Sequence, residues 1–169
     1  MYICNEPMMQ QLNLPALVPR LRKGKSGKEE IFDEIRKRYV RLTPEEWVRQ
    51  HFLQFMILQL GFPATLISVE AALKYNNMLK RFDILAYNSD GVPCLVVECK
   101  APTVEITQAV FDQVAMYNMT LAVDYLAVTN GLAHFACKID HPNKKYAFLK
   151  EIPTYEQVTR DRKIVYRKS

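Results

Sequence analysis

Three side chains in the middle of this 169-residue chain have the types and spacing that phosphodiester hydrolysis needs. Asp83 lies near the start of one apolar segment, and Glu98 and Lys100 close the next one. Two acids can hold a hydrated Mg²⁺ ion that activates water, and a lysine beside them can stabilise the developing charge. Because Glu-x-Lys is also common on exposed strand faces, its meaning depends on the elements that position it.

Two strands joined at Asp90-Gly91 would position these side chains, since this dipeptide is typical of tight hairpin turns. With that dipeptide at the turn centre, or with a four-residue loop on the same centre, Asp83 lies opposite Glu98. Opposed Cβ atoms are about 4.5–5.5 Å apart, and like charges so placed destabilise the pair, which predicts a cation between them. Strand alternation predicts that the other face is apolar and buried. That face would hold Phe82, Ile84, Ala86, Leu95, Val97 and Cys99.

The segments around this hairpin predict an α/β sandwich. Thr43-Pro44-Glu45-Glu46 has the N-cap, the N1 proline and the N3 glutamate of a capping box, and predicts a helix that runs to Leu60 and ends at Gly61. The other patterns predict helices over 28–40 and 104–121, a strand over 65–75, a hairpin around Asn130-Gly131, and a short strand or helix after Tyr146. This order of elements predicts a mixed sheet covered by helices.

Composition indicates a globular, cytoplasmic protein. No apolar run is long enough to span a membrane, and the N-terminus lacks the order of a signal peptide. We predict a domain over 28–150, an irregular basic arm over 1–27 and a basic tail over 151–169. The four cysteines lack paired spacing, which favours buried free thiols over disulfides or zinc ligands. They are Cys4, Cys94, Cys99 and Cys137.

The formal net charge of +5 is compatible with a polyanionic partner. Its cations crowd two segments, which either bind such a partner or are solvated ends. The first segment holds Arg20, Arg22, Lys23, Lys25 and Lys28, and the second holds Arg160, Arg162, Lys163, Arg167 and Lys168.

Several segments share a pattern that extends well beyond Glu-x-Lys. They read TPEEWVRQ at 43–50, KRFDI at 80–84, VVECKAP at 96–102, FDQVAMYN at 111–118 and TNG at 129–131. Together they resemble the PD-(D/E)XK nuclease superfamily, and more closely the N-terminal nuclease domain of the motor (R) subunit of type I restriction enzymes, over about residues 28–140. The resemblance implies a restriction-endonuclease-like sandwich with a central mixed sheet of four to five strands flanked by helices.

By this resemblance Asp83, Glu98 and Lys100 are the catalytic residues, with Phe82 in place of the usual proline. Asp83, Glu98 and the backbone carbonyl of Cys99 would bind Mg²⁺, for which Mn²⁺ can substitute. No zinc and no nucleotide are expected.

Five further residues are candidates for this site. The family's additional helical acid would be Glu46, with Glu45 as the alternative, although Glu46 also has a structural role in the capping box. Gln113 and Tyr117 match a Gln-x-x-x-Tyr element of related nucleases and would contact DNA or brace Lys100, or else pack at the edge of the core. Glu70 on the first strand would either approach the same cleft or face solvent.

These expectations combine into a Mg²⁺-dependent DNA endonuclease related to restriction or defence. The chain contains no Gly-x-x-x-x-Gly-Lys-[Ser/Thr] phosphate loop, so no motor activity is expected from it. The alternative is a catalytically silent module that binds nucleic acid or assembles with a restriction-type system. Expected partners are DNA, other restriction-system subunits and, because one site cuts one strand, a second copy of the chain; no membrane is expected.

Overall fold

The computed structural model describes residues 9–75, 77–119, 121 and 123–166, with only the backbone of 75, 78, 117 and 161–166. A three-stranded antiparallel sheet comes first, formed by β1 (Leu21–Lys23), β2 (Glu29–Asp33) and β3 (Arg38–Arg41). A six-stranded sheet follows, formed by β4 (Ile67–Tyr75), β5 (Met78–Tyr87), β6 (Pro93–Cys99), β7 (Tyr125–Thr129), β8 (His134–Asp140) and β9 (Lys145–Phe148). The helices are α1 (Pro44–Leu58), α2 (Gln108–Asn118) and α3 (Tyr155–Tyr166).

The larger sheet confirms the predicted mixed α/β sandwich. Its strands lie in the order β4 to β9, with β6 and β7 parallel and the other neighbours antiparallel. Helix α1 packs on one face through Phe52 and Met56, and α2 packs on the other through Phe111 and Ala115. The sheet has six strands rather than four to five, because the segment after Tyr146 belongs to β9 and is followed by α3, where a single short element was expected.

The β5–β6 hairpin has the predicted register, with Ile84 opposite Val97 and Ala86 opposite Leu95. Its turn differs in detail. The N–H of Gly91 donates to the Asn88 carbonyl at 3.0 Å, and Gly91 has a φ of 74°, so the central residues are Ser89-Asp90 and not Asp90-Gly91. A register shift beside Tyr87 absorbs the difference. Glycine in the left-handed position thus keeps Asp83 and Glu98 near each other.

Glu70 interrupts the regular pleat opposite Asp83. It has a φ of 51°, a left-handed conformation that is unusual for a residue other than glycine. On one side of it Val69 pairs with Ile84 in the α1-side core, and on the other side Ala71 pairs with Phe82 in the α2-side core. The prediction that Phe82 shares a face with Ile84 is therefore wrong, because the sheet faces exchange across this irregularity.

Helix α1 begins as predicted and ends earlier. The Thr43 hydroxyl accepts from the Glu46 N–H at 3.1 Å, and Pro44 is the first helical residue. The helix ends at Leu58 rather than Leu60.

Helix α2 is shorter than the predicted 104–121. It starts after the N-cap Thr107 and ends at Asn118. Its buried residues Phe111 and Ala115 face the core, Val114 packs against it, and Gln113 is exposed.

The helix predicted over 28–40 is wrong, since these residues form the β2–β3 hairpin. The Asp33 carboxylate accepts from the N–H groups of Ile35 and Arg36 at 2.8 Å each, and this tight turn reverses the chain. Alternation across β2 buries Ile31 and Asp33 on its inner face. Residues 28–40 are rich in charge and have few apolar residues, so they fit both a helical and a strand period. The turn at Asp33 decides for strands.

The predicted arm and tail contain regular structure. Residues 21–23 form β1, so the arm is not irregular throughout. In α3, Val158 is buried, and the Tyr155 N–H donates to the Leu60 carbonyl at 2.9 Å. The division into arm, domain and tail stays a prediction. Residues 1–8 and 167–169 and the side chains of Arg162 and Lys163 lie outside the described part of the chain.

Cys94, Cys99 and Cys137 are buried free thiols, as predicted, while Cys4 lies outside the described residues. Among the described helices, none is both long and apolar enough to cross a bilayer.

Candidate functional site

Strands β5 and β6 bring Asp83, Glu98 and Lys100 together at one end of the larger sheet. The Asp83 Oδ2 atom accepts from the Cys99 N–H at 2.8 Å, so the aspartate continues the ladder after the last backbone pair. The carboxyl groups of Asp83 and Glu98 are in hydrogen-bond contact, and Lys100 acts on Glu98 through its charge. Cys99, between Glu98 and Lys100, is buried in the core.

The Asp83–Glu98 pair has too little positive charge around it. Burial, together with repulsion from Asp83 and a hydrogen bond with it, raises the pKa of Glu98 to about 8 against the opposing effect of Lys100. Near neutral pH, with no cation added, Glu98 therefore retains its proton. A divalent cation can replace that proton.

Of the two helical acids considered, Glu45 rather than Glu46 lies near Asp83 and Lys100. Burial and repulsion from Asp83 raise the pKa of Glu45, while Arg49 and Lys100 act in the opposite direction, so all three residues lie within electrostatic reach. The Glu45 side chain is 46% exposed and accepts a hydrogen bond from Arg49 at 3.4 Å. We call Asp83, Glu98, Lys100 and Glu45 the acid site.

Glu46 points away from the acid site into a set of buried charges, so the sequence-based choice of Glu46 is revised. Its carboxylate accepts from Arg36 at 2.8 Å, from Arg49 at 2.6 Å and from Gln50 at 2.8 Å. The Thr43 side chain caps α1, but the Glu46 side chain is engaged with these three partners instead of the capping box.

Two arginines, the partly buried Arg36 and the buried Arg49, connect Glu46 with three elements of the fold. Arg36, in the β2–β3 turn, also contacts Asp33 at 2.6 Å and Glu70 at 2.9 Å. Arg49, on α1, lies 3.5 Å from Glu70. We call this set the arginine network; its members are Asp33, Arg36, Glu46, Arg49, Gln50 and Glu70. Burial would raise the pKa of Asp33, but the contacts with Arg36 and Gln50 outweigh it and lower this pKa.

Arg49 joins the arginine network to the acid site. Its guanidinium donates to Asp83 Oδ1 at 2.7 Å, while its other nitrogen holds Glu46. Both oxygens of Asp83 are therefore oriented, one by Arg49 and the other by the Cys99 N–H. The sequence allowed Glu70 to approach the cleft or to face solvent; in the structure it belongs to the arginine network.

The Gln-x-x-x-Tyr element stays a prediction. Gln113 is exposed on α2, and none of the described contacts joins it to Lys100. The side chain of Tyr117 lies outside the described part of the chain.

The donor atoms fit a hydrated divalent cation held by few protein ligands. Within the described residues, no three His, Cys, Asp or Glu side chains are placed to hold a metal ion. The hydrogen-bonded Asp83–Glu98 pair offers two carboxylates, and Cys99 directs its N–H, and with it its carbonyl, toward β5. Oxygen donors of this number suit Mg²⁺, which keeps several waters, and are a poor set for zinc.

Sequence reasoning missed Arg36 and Arg49. The positions of Arg49 three and four residues after Glu46 and Glu45 do signal helical ion pairs. The contact between Arg49 and Asp83 spans 34 residues and two elements, and local patterns carry no signal for it.

Residues 44–153 match a family model described as type I restriction enzyme R protein N terminus. A solved fragment described as an HsdR subunit of a type I restriction enzyme from Vibrio vulnificus YJ016 has a similar fold, with a TM-score of 0.50 and 20% sequence identity. The match covers 70% of this chain and 25% of that one, so the chain spans about a quarter of that structure's length. No curated protein matches the chain significantly.

Proposed function

The chain belongs to the type I restriction enzyme R protein N-terminal family, and from this premise we propose that it is a divalent-metal-dependent endonuclease that cuts DNA. The observation that carries the proposal is the position of Asp83 beside Glu98 and Lys100, which the 2.8 Å hydrogen bond from the Cys99 N–H to Asp83 Oδ2 fixes. Membership of the family makes the chain restriction-related; the phosphodiester chemistry and the Mg²⁺ requirement are our inference.

Each residue of the acid site has a distinct task in this proposal. Asp83 and Glu98 would hold the cation, with the Cys99 carbonyl as a further oxygen ligand. When bound, Mg²⁺ would supply a Lewis acid that activates water and neutralises charge on the phosphoryl group. Lys100 would stabilise the attacking nucleophile and the charge that develops on the phosphate oxygens. Glu45 would orient a water molecule of the metal.

Arg49 would act as a positioning residue. By donating to Asp83 Oδ1 it fixes the carboxylate rotamer while Oδ2 stays on the Cys99 N–H. The cation would have to bind the remaining lone pairs of Asp83 together with Glu98. Binding by the free protein should therefore be weak and should strengthen with DNA, whose phosphate oxygens complete the ligand shell.

A second candidate function is a catalytically silent module that binds DNA. The observation in its favour is that Arg49 and the Cys99 N–H already engage both oxygens of Asp83. In that case Arg49 would replace the cation permanently. Contacts with other restriction-system subunits or with a second copy of the chain are compatible with either candidate.

A plasmid-nicking assay with Mg²⁺ or Mn²⁺ separates the two candidates. Wild-type protein should nick supercoiled DNA and Asp83→Ala should not, because the variant loses one of its two acidic metal ligands. Glu151→Ala, which removes an exposed carboxylate before α3, is the matched control and should cut like wild type. Equal cleavage by wild type and Asp83→Ala would show that the activity comes from a contaminant. No cleavage by either, with DNA binding intact, would support the silent module.

A further inference from the structure

The three-stranded sheet carries cations of two kinds. Arg20 stacks on Phe32, with 3.7 Å between its guanidinium carbon and the ring centroid, and is paired with Glu34. Arg22 stacks in the same way on Tyr39 at 3.9 Å and bonds Glu30 at 2.7 Å. These two arginines are neutralised and held against the sheet, so they stabilise its outer face.

The cations of the second kind, which have no carboxylate partner among the described residues, lie at one end of the three-stranded sheet. The register places Lys23 opposite Glu29 and Arg41 opposite Glu30, next to the β1–β2 turn that holds the other two cations. We call this set the basic tip; its members are Lys23, Lys25, Lys28 and Arg41. All four are exposed, and within the described residues no carboxylate lies within 4 Å of any of their charged groups.

The basic tip is ordered. In its turn the Gly24 N–H donates to the Lys28 carbonyl at 2.8 Å, and the Gly27 N–H donates to the Gly24 carbonyl at 2.9 Å. The Leu42 N–H donates to the Glu29 carbonyl at 2.9 Å and holds the end of β3 beside the start of β2. Through Arg36 and Asp33 the inner side of the same sheet is fixed to α1. The lysines are thus presented at a fixed place.

Arg41 brings one end of the basic tip close to the acid site. Arg41 precedes Glu45 by four residues, so their Cα atoms are at most about 14 Å apart. Because DNA rises about 3.4 Å per nucleotide, this span corresponds to about four nucleotides of one strand. A duplex with a phosphate at the acid site therefore has neighbouring phosphates within reach of the tip.

We propose that the basic tip is the docking surface for the sugar-phosphate backbone of the duplex that enters the acid site. The proposal takes DNA as partner from the proposed function and adds the surface that holds it. The unpaired cations would contact phosphates and release counterions, and these contacts carry affinity without sequence preference. Docking beside α1 would place the duplex next to the residues of the acid site.

The test measures affinity of the full chain for a labelled duplex of about 30 base pairs, without metal, over about 50 to 200 mM salt. In Lys23→Gln/Lys25→Gln/Lys28→Gln, affinity at the upper salt should fall by at least about tenfold, and the slope of log affinity against log salt should weaken by about two to three. The control Lys144→Gln/Lys145→Gln/Lys150→Gln removes the same charge from exposed positions around β9 and should keep the wild-type slope. Thermal unfolding of both variants should match wild type, because exposed lysines contribute little stability.

The outcomes separate this proposal from the nuclease. Equal slopes for the two triple variants, or no binding of wild type to the duplex at low salt, would overturn the docking surface; in the latter case an acidic protein surface would be the partner to test. A tip-dependent slope together with inactive wild type in the nicking assay would support the docking surface and reject the nuclease. Active wild type, together with equal salt slopes for the two triple variants, would support the nuclease and reject the docking surface.

Discussion

Two groups of acids meet at Asp83, and they differ in how their charge is compensated. In the arginine network Asp33, Glu46 and Glu70 each contact at least one guanidinium, and the pKa of Asp33 is lowered. In the acid site the pKa values of Glu98 and Glu45 are raised, because burial and Asp83 oppose their ionisation. Carboxylates of the first group are matched by the protein itself, whereas in the second group Arg49 and Lys100 do not offset burial and repulsion at Glu98 and Glu45. The comparison teaches that charge balance, rather than burial, distinguishes structural acids from chemical ones.

The largest expected effect is on the cleavage rate, when Lys100 of the acid site is replaced. Lys100→Ala should lower the single-turnover cleavage rate by on the order of 10³-fold or more, because the lysine acts mainly in the transition state. DNA affinity and the free energy of unfolding should change little, since the side chain is half-buried and has no fixed role in the core. Lys100→Arg should restore little activity, because a planar fork does not reproduce a compact charge.

Lys74→Ala is the matched control, since Lys74 is an exposed lysine of β4 in the same sheet. It should cut at the wild-type rate. If Lys100→Ala also cuts at that rate, Lys100 is a surface charge and the acid site lacks its proposed chemistry.

The next effect contrasts two adjacent glutamates. Glu46→Gln leaves Arg36 and Arg49 with one fewer buried partner charge and should destabilise the fold by about 3 kcal/mol, a loss of about 6 to 12 °C in Tm. Glu45→Gln should leave Tm nearly unchanged and lower cleavage about tenfold. Thermal unfolding and single-turnover cleavage of both variants test these two roles. A loss of Tm in Glu45→Gln, with slower cleavage but unchanged Tm in Glu46→Gln, would restore Glu46 as the site acid.

The smallest effect concerns the pH dependence of stability without metal. Glu98 has a pKa of about 8 in the fold, above its unfolded value of 4.5, so the folded state binds the extra proton between these values. Its contribution is therefore present at low pH and is lost as pH rises toward 8. Glu98→Gln should remove this loss and be more stable than wild type by about 1 to 2 kcal/mol near pH 8.5, with a smaller difference near pH 5.5.

Unfolding by urea at the two pH values checks this expectation. Asp90→Asn, a change at an exposed acid in the β5–β6 turn, serves as the control and should show no such pH-dependent gain. A wild-type protein whose stability rises between pH 5.5 and 8.5 relative to Glu98→Gln would contradict the cation deficit at the acid site.

Sequence reasoning reached the acid site because its key contacts follow from a local rule. The glycine turn sets the β5–β6 register, and alternation then places Asp83, Glu98 and Lys100. The same kind of rule identified α1 through Thr43 and Pro44. No local rule decides between Glu45 and Glu46. The Glu46 carboxylate binds Arg36, which lies ten residues earlier in a segment predicted as helix, and so points away from the acid site.

The N-terminal sheet shows the limit of periodicity. Its strands are three to five residues long and rich in charge, so few apolar residues are available to distinguish a period of two from 3.6. Likewise, the left-handed Glu70 has no sequence signal, because no glycine or asparagine marks it. Both features are set by contacts between elements that are distant in sequence.

The position of Arg36 also bears on modularity. The segment that matches the family model begins at Pro44, whereas Asp33 and Arg36 come before it. A chimaera that transplanted only residues 44–153 would carry Glu46 and Glu70 without their partner Arg36 in the β2–β3 turn. The recombination boundary that keeps these charges together lies before Glu29, so the hairpin and the nuclease-like core should be inherited and exchanged as one unit.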